Sequence, residues 1–201
     1  MDTRFFYYSR KMAKFILGKK LGMTTIYEKG KALNVTLIEC EPNKVSLIRT
    51  QEKDGYNAVQ LQIKKKKDKV YKKEFRLDGK DESFTVDQEI AIDIFELGEK
   101  VKVSGVTKAK GFQGVVKRHG FKGAPKTHGH KHDLRAPGSI GSGWPQHVIK
   151  GMRMAGRMGG VKSSVRNVKV VYLNKENNLV GIKGAVPGVA GRTVEIIGIK
   201  Q

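Results

Sequence analysis

Cysteines and long apolar runs are nearly absent from this 201-residue sequence. The one cysteine, Cys40, excludes an internal disulfide. The longest apolar stretches, such as residues 185–190, fall far short of the roughly 20 residues that a membrane-spanning helix needs. No hydrophobic segment typical of a secretory signal occurs either. These absences predict a reducing, cytosolic protein without a membrane partner, and Cys40 is predicted to be a small core residue.

Acidic residues are missing from the centre of the chain. Residues 102–167 carry fourteen Lys and Arg and thirteen glycines, with all five histidines of the protein, but only one acid, Asp133. So much like charge repels itself in a compact state, and a glycine-rich backbone loses much entropy when it becomes ordered. We therefore expect a polyanion to order this segment. With a net charge of +21 over the whole chain, nucleic acid is favoured over a membrane surface.

Alternating apolar and polar residues dominate the two ends of the sequence. This period predicts half-buried strands over 33–38, 44–49, 58–63, 168–173, 179–183 and 193–199. The polar residues 174–178 predict a hairpin turn between two of them. Many short strands with Gly and Asn turns predict a closed antiparallel barrel.

Two further segments interrupt this pattern. Residues 64–81 are rich in lysine and predict an exposed connector or a small added subdomain, whereas residues 90–95 fit either a strand or a helix.

Residues 1–11 precede a second methionine, Met12, and predict a flexible extension rather than a short transit peptide. The predicted organisation is thus an extension at 1–11, a body at 12–101 and 162–201 with an insertion at about 64–98, and a basic extension at 102–161.

The basic extension opens with interleaved glycines, lysines and aromatic residues over 101–121. Glycines let a backbone approach RNA closely, cations meet phosphates, and Phe112 and Phe121 offer stacking faces. A glycine-rich strand and turn is the alternative interpretation. No Gly-Lys-Ser or Gly-Lys-Thr closes the glycine run, which disfavours a nucleotide P-loop.

Residues 123–148 contain almost no core-forming side chains and predict a loop without regular structure. His128, His130 and His132 alternate within it and could in principle face a metal. With no acid nearby except Asp133 and no cysteine, we expect no metal and no cofactor, and histidines that contact phosphates or bases.

The return segment 150–160 places Arg153 and Arg157 four residues apart, but its glycines favour a chain wound through RNA over a helix. The predicted RNA-contacting residues are Lys108, Lys110, Phe112, Lys117, Arg118, His119, Lys122, Lys126, His128, His130, Lys131, His132, Arg135, Trp144, His147, Lys150, Arg153, Arg157, Lys162 and Arg166.

Five blocks of sequence, in order, resemble the signatures of a known family. They are FILGKKLGMT at 15–24, TKAKGFQGVVKRH at 107–119, RAPGSIG at 135–141, KGMRMAGRMG at 150–159 and KGAVPG at 183–188. The family is large-subunit ribosomal protein three, bacterial type, and the resemblance covers about residues 14–199.

The resemblance implies a six-stranded Greek-key barrel of the translation-protein kind with a small α+β insertion. It further implies binding to large-subunit rRNA near its 3′ end, a central extension that reaches toward the peptidyl transferase centre, and a part in early subunit assembly. The implied neighbours are the large-subunit proteins numbered fourteen and nineteen. We expect a cytoplasmic ribosomal protein that is neither an enzyme nor a homo-oligomer.

The sequence departs from the family pattern at the tip of the extension. Some bacterial members have a methylated glutamine after the Gly-Ser-Ile-Gly block, but here Ser142 follows Gly141, so we expect no such modification. The tip is also about one residue short and carries Trp144. We favour Trp144 as a wedge that stacks on a base over a packing anchor before Pro145.

Two other classes of function fit parts of the sequence. An RNA-processing enzyme could use His119, His128 and His147 as acid and base, but no carboxylate is placed to orient them. A general nucleic-acid chaperone or DNA-binding protein would need only the charge. Purified protein that leaves RNA uncleaved counts against the enzyme, and tight selectivity for one rRNA region excludes the chaperone or DNA-binding protein.

Overall fold

The computed structural model describes residues 14–28, 30–64, 69–77 and 84–199. The predicted extension at 1–11 and most of the lysine run at 64–67 lie outside these ranges. The chain divides into two compact units. Unit 1 comprises the described residues up to Val106 and from Lys162 onward, and unit 2 is residues 107–161.

The described part of the chain is mainly β, as the sequence predicts. Its two α-helices are single turns, α1 (Gln51–Asp54) and α2 (Val115–His119), and Ile92–Ile94 form a 3₁₀ turn. The strands are β1 (Phe15–Glu28), β2 (Lys31–Glu39), β3 (Asn43–Arg49), β4 (Ala58–Lys64), β5 (Val70–Arg76), β6 (Glu89–Ile90), β7 (Lys100–Val106), β8 (Phe112–Gln113), β9 (Gly156–Arg157), β10 (Lys162–Asn174), β11 (Leu179–Lys183) and β12 (Thr193–Gly198).

Six strands of unit 1 pair in the closed order β1-β12-β7-β10-β11-β2, so each has a neighbour on both sides. All six pairings are antiparallel. Four of the predicted strands lie in this barrel, in β2, β10, β11 and β12. The predicted hairpin joins β10 to β11, with Asn174 opposite Leu179. Closure satisfies the backbone groups that open sheet edges would leave unpaired.

A second antiparallel sheet has the order β5-β4-β3-β6. The strands predicted at 44–49 and 58–63 exist as β3 and β4, but they belong to this sheet and not to the barrel. The second sheet therefore includes strands that precede residue 64, where the predicted insertion starts, and β5 lies in the segment predicted to be a connector or subdomain. Within residues 90–95, which fit either a strand or a helix, Ile90 ends β6 and Ile92–Ile94 form the 3₁₀ turn. Alternation predicts a strand, but long-range pairing decides which sheet the strand joins.

The start of β1 contributes to both hydrophobic clusters of unit 1, one inside the barrel and one against the second sheet. Successive side chains of a strand point to opposite faces. Ile16 accordingly packs in the barrel interior, while Phe15 and Leu17 pack in a second cluster with the strands of the other sheet. The Phe15 ring stacks on Phe75 with centroids 4.7 Å apart. All four residues 15–18 are consequently buried.

Cys40 is fully buried in the barrel core, which confirms its predicted role. A Cβ atom on Gly18 would lie 2.5 Å from its Sγ atom, so glycine is required there for the close approach of β1. Burial raises the pKa of the Cys40 thiol to about 12. Cys40 is therefore an uncharged, packed side chain at neutral pH.

Neither helix of the described residues approaches the length and hydrophobicity needed to span a membrane.

Candidate nucleic-acid interface

Unit 2 concentrates positive charge with almost nothing to balance it. Its 55 residues carry eleven Lys and Arg and a single acid, Asp133. Within the described residues, no ion pair joins any of these eleven cations to a carboxylate; every ion pair found there involves cations of unit 1. Most of the positive charge of unit 2 is thus exposed to solvent without a neutralising carboxylate, where a polyanion can bind it.

Most of the predicted contact residues lie on the surface. Exposed in unit 2 are Lys108, Lys110, Phe112, Lys117, Lys122, Lys126, His128, His130, Lys131, His132, Arg135, Trp144, His147, Lys150, Arg153 and Arg157. Lys162 and Arg166 are exposed on β10 of unit 1, and Arg118 and His119 are half-buried. Trp144 and Phe112 are 81% and 76% exposed, so their rings are accessible for stacking.

A short paired segment, the root of unit 2, holds residues 107–113 against 156–161. Strand β8 pairs with β9, and the Lys110 N–H donates to the Met158 carbonyl while the Met158 N–H donates to that of Gly111, both at 2.9 Å. Gly159 has φ +73°, and a Cβ atom there would lie 2.0 Å from the Lys108 carbonyl oxygen. Only glycine fits this crossing.

Arg118 and His119 tie helix α2 to the segment that precedes strand β9. Their positions in α2 bring Arg118 Nη1 to 2.7 Å and His119 Nε2 to 3.0 Å from the same Met154 carbonyl oxygen. A Cβ atom on Gly156 would lie 2.6 Å from Arg118 Nη1, so this glycine makes room for the guanidinium. Both residues were predicted from sequence as RNA contacts; here they engage the protein backbone. The contact joins residues 35 or more positions apart, and nothing in the sequence indicates it.

Between the helix α2 and strand β9 the chain forms turns and bends but no helix or strand. This confirms the loop predicted over 123–148. Nearly every residue from 125 to 155 is exposed, and none of the cations there is buried. In the part of the chain that is described, no three His, Cys, Asp or Glu side chains converge to form a metal site.

Lys162 differs from the other predicted contacts because it has a carboxylate partner. Its Nζ atom lies 2.7 Å from Oε2 of Glu195, a buried residue of β12, and Lys73 Nζ lies 3.6 Å from Oε1 of the same carboxylate. Glu195 thus joins two barrel strands and β5 of the second sheet. Its charge offsets that of Lys162, so Lys162 offers less to a phosphate than the unpaired lysines of unit 2.

Known proteins that are similar to this chain are ribosomal proteins, which is consistent with a nucleic-acid interface. A family model described as Ribosomal protein L3 matches residues 72–186. A curated relative from Thioalkalivibrio sulfidiphilus, named large ribosomal subunit protein uL3, is 44% identical over 205 residues, which cover 91% of this chain and 95% of the relative. The chain belongs to the ribosomal protein L3 family.

Relatives from distant bacteria carry the same name. The protein from Desulfatibacillum aliphaticivorans is 44% identical over an alignment that covers 94% of this chain and 98% of the relative. The protein from Bacillus cytotoxicus is 40% identical over an alignment that covers 93% of this chain and 97% of the relative. As a ribosomal protein L3, the chain is a structural constituent of the large subunit of the cytoplasmic ribosome and not an enzyme. Its partners are large-subunit rRNA and other ribosomal proteins, as predicted from the sequence.

Proposed function

We propose that unit 2 is the principal rRNA-binding element of this chain, with its lysines and arginines on phosphates and its exposed rings on bases. The observation that carries the proposal is the set of eleven cations that have no carboxylate partner within the described residues. Each cation that meets a phosphate releases condensed counterions, which is the main source of affinity for RNA. The shape of the loop then contributes specificity for the folded rRNA.

The six-stranded barrel is proposed to be the Greek-key barrel of the translation-protein kind. A Greek key places the fourth strand beside the first, in the spatial order 4-1-2-3. The order β12-β7-β10-β11 has this form, because β12 returns past β11 to pair with β7. On this proposal unit 2 is the connection in the chain between barrel strands β7 and β10.

The position in the subunit is proposed from the family resemblance. The barrel binds near the 3′ end of large-subunit rRNA, the loop of unit 2 extends toward the peptidyl transferase centre, and the protein acts early in subunit assembly. Its neighbours are large-subunit proteins fourteen and nineteen. Trp144 is proposed to stack on a base there; its 81% exposure fits a ring that finds its partner only in the complex.

Trp144 is the only tryptophan of the chain, so its fluorescence reports on this proposal directly. Titration with large-subunit rRNA should quench the emission and saturate at one protein per RNA, because stacking on a base provides a quenching contact. The control is small-subunit rRNA at the same nucleotide and salt concentrations, which should not saturate the quenching. Equal quenching by both RNAs would indicate a general chaperone, and saturable binding without quenching would show that Trp144 does not stack.

A further inference from the structure

One open groove in unit 2 is built from two short segments of the loop. Its volume is about 760 Å³, within the range of sites that hold small molecules. Phe121 and Lys122 line one wall, Pro137 and Gly138 line the other, and His130 and Asp133 complete it. The groove therefore combines an aromatic ring, a cation and a carboxylate around one space.

The two walls are brought together by a glycine contact. Gly123 has φ +72°, and a Cβ atom there would lie 2.3 Å from the Leu134 carbonyl oxygen. Beside it, the Ala136 N–H donates to the Asp133 carbonyl at 3.2 Å, which turns the second wall back on itself. The groove thus depends on local backbone contacts and on a position where only glycine fits.

Asp133 is the unexpected member of this groove. It is the only acid among residues 102–167, is exposed, and has no ion pair or side-chain hydrogen bond within the described residues. A carboxylate within a cationic, RNA-binding element repels phosphate. The charge of Asp133 alone would therefore weaken RNA binding. An ionised carboxylate has acceptors only, and it suits a ligand that presents two adjacent N–H donors.

We propose that this groove binds one unpaired guanosine of the rRNA, with Asp133 accepting hydrogen bonds from the guanine Watson–Crick edge. Among the four bases of RNA, guanine alone presents a ring N–H and an amino group side by side, at N1 and N2. Phe121 offers a stacking face and Lys122 a charge for the nucleotide phosphate. The proposal rests on the rRNA binding proposed above and adds a base and the residue that reads it.

The substitution Asp133→Asn tests the guanosine proposal, because the two explanations of Asp133 predict opposite changes in RNA affinity. Removing a negative charge from a cationic surface should tighten RNA binding if the carboxylate only repels phosphate. If Asp133 reads guanine, Asn loses the two-acceptor geometry, and the dissociation constant for large-subunit rRNA should rise about 5- to 100-fold. The salt dependence should not flatten, because no cation is lost. Glu176→Gln, which removes an exposed acid from the β10–β11 turn, is the matched control and should not weaken binding.

Chemical probing of the complex identifies the base. A glyoxal reagent that attacks N1 and N2 of unpaired guanines should find one guanine protected by the full chain and exposed again with Asp133→Asn, while the other protections remain. Tighter or equal binding by this variant, or protections that are all retained, would overturn the groove proposal and leave rRNA binding intact. Failure of the wild-type chain to bind rRNA at all would instead contradict the proposed function of unit 2.

Discussion

Replacing Lys108, Lys110 and Lys117 together by Gln is expected to lower the affinity for large-subunit rRNA about a hundredfold at ~0.1 M salt. All three are exposed, and within the described residues none has a carboxylate partner. Each lost phosphate contact removes about 0.7 to 0.9 from the slope of log affinity against log salt, so three contacts flatten it by about two units. A slope change of two units corresponds to two decades of affinity between 1 M and 0.1 M salt. Filter binding across a salt series measures both quantities.

The matched control removes the same net charge from unit 1. Lys19, Lys44 and Lys175 lie 3.1, 3.6 and 2.7 Å from carboxylate oxygens of Glu39, Glu89 and Asp93. Because these charges are already offset, their replacement by Gln should change the salt slope by much less. Equal losses from the two triple variants would mean that net charge, and not its placement in unit 2, determines binding.

The second large effect is expected from Gly159→Ala, which alters no charge. The added methyl would meet the Lys108 carbonyl oxygen at 2.0 Å in a backbone conformation that alanine rarely adopts. This contact is with backbone, so no rotamer relieves it. The two hydrogen bonds between Lys110, Met158 and Gly111 contribute only about 1 kcal/mol each, too little to hold the root closed. We expect these amides to exchange rapidly and rRNA affinity to fall more than tenfold, because the loop is no longer preorganised.

Gly114→Ala is the control for this prediction. Gly114 has φ −68°, and nothing lies within 4 Å of the position of its added Cβ atom. It should leave both amide exchange and binding unchanged. Unit 1 should unfold at the same temperature in both variants, since its barrel contains neither residue. If Gly159→Ala keeps slow exchange at Lys110 and Met158 and full affinity, the root does not organise unit 2.

Local pattern predicted the strands of this protein better than their assembly. The alternation in 33–38 and 179–183 reflects one buried face, and both segments are strands of the barrel. The equally clear alternation at 44–49 and 58–63 also gives strands, but these two pair with each other and belong to the second sheet, with β6 and β5 at its edges. The start of β1 shows no alternation to detect, because its two faces are buried in two different clusters.

Composition alone locates the candidate interface in the sequence, but it does not show which of its cations are free to bind RNA. A stretch with fourteen cations and one acid indicates an anionic partner whatever its fold. Which cations are free depends on distant contacts: Arg118 reaches the Met154 carbonyl, and Lys162 reaches Glu195. Asp133, which is not among the residues predicted from sequence to contact RNA, lines the one groove that we assign to a base.

Hydroxyl-radical footprinting on large-subunit rRNA tests the central claim most directly, with the full chain compared with a chain that lacks residues 124–149. If the barrel and the loop bind separate regions, both proteins should protect the same region near the 3′ end. Only the full chain should then protect nucleotides in the interior, around the peptidyl transferase centre. Diffuse protection that is identical for the two proteins would contradict this account, because binding would then depend on charge without regard to the loop.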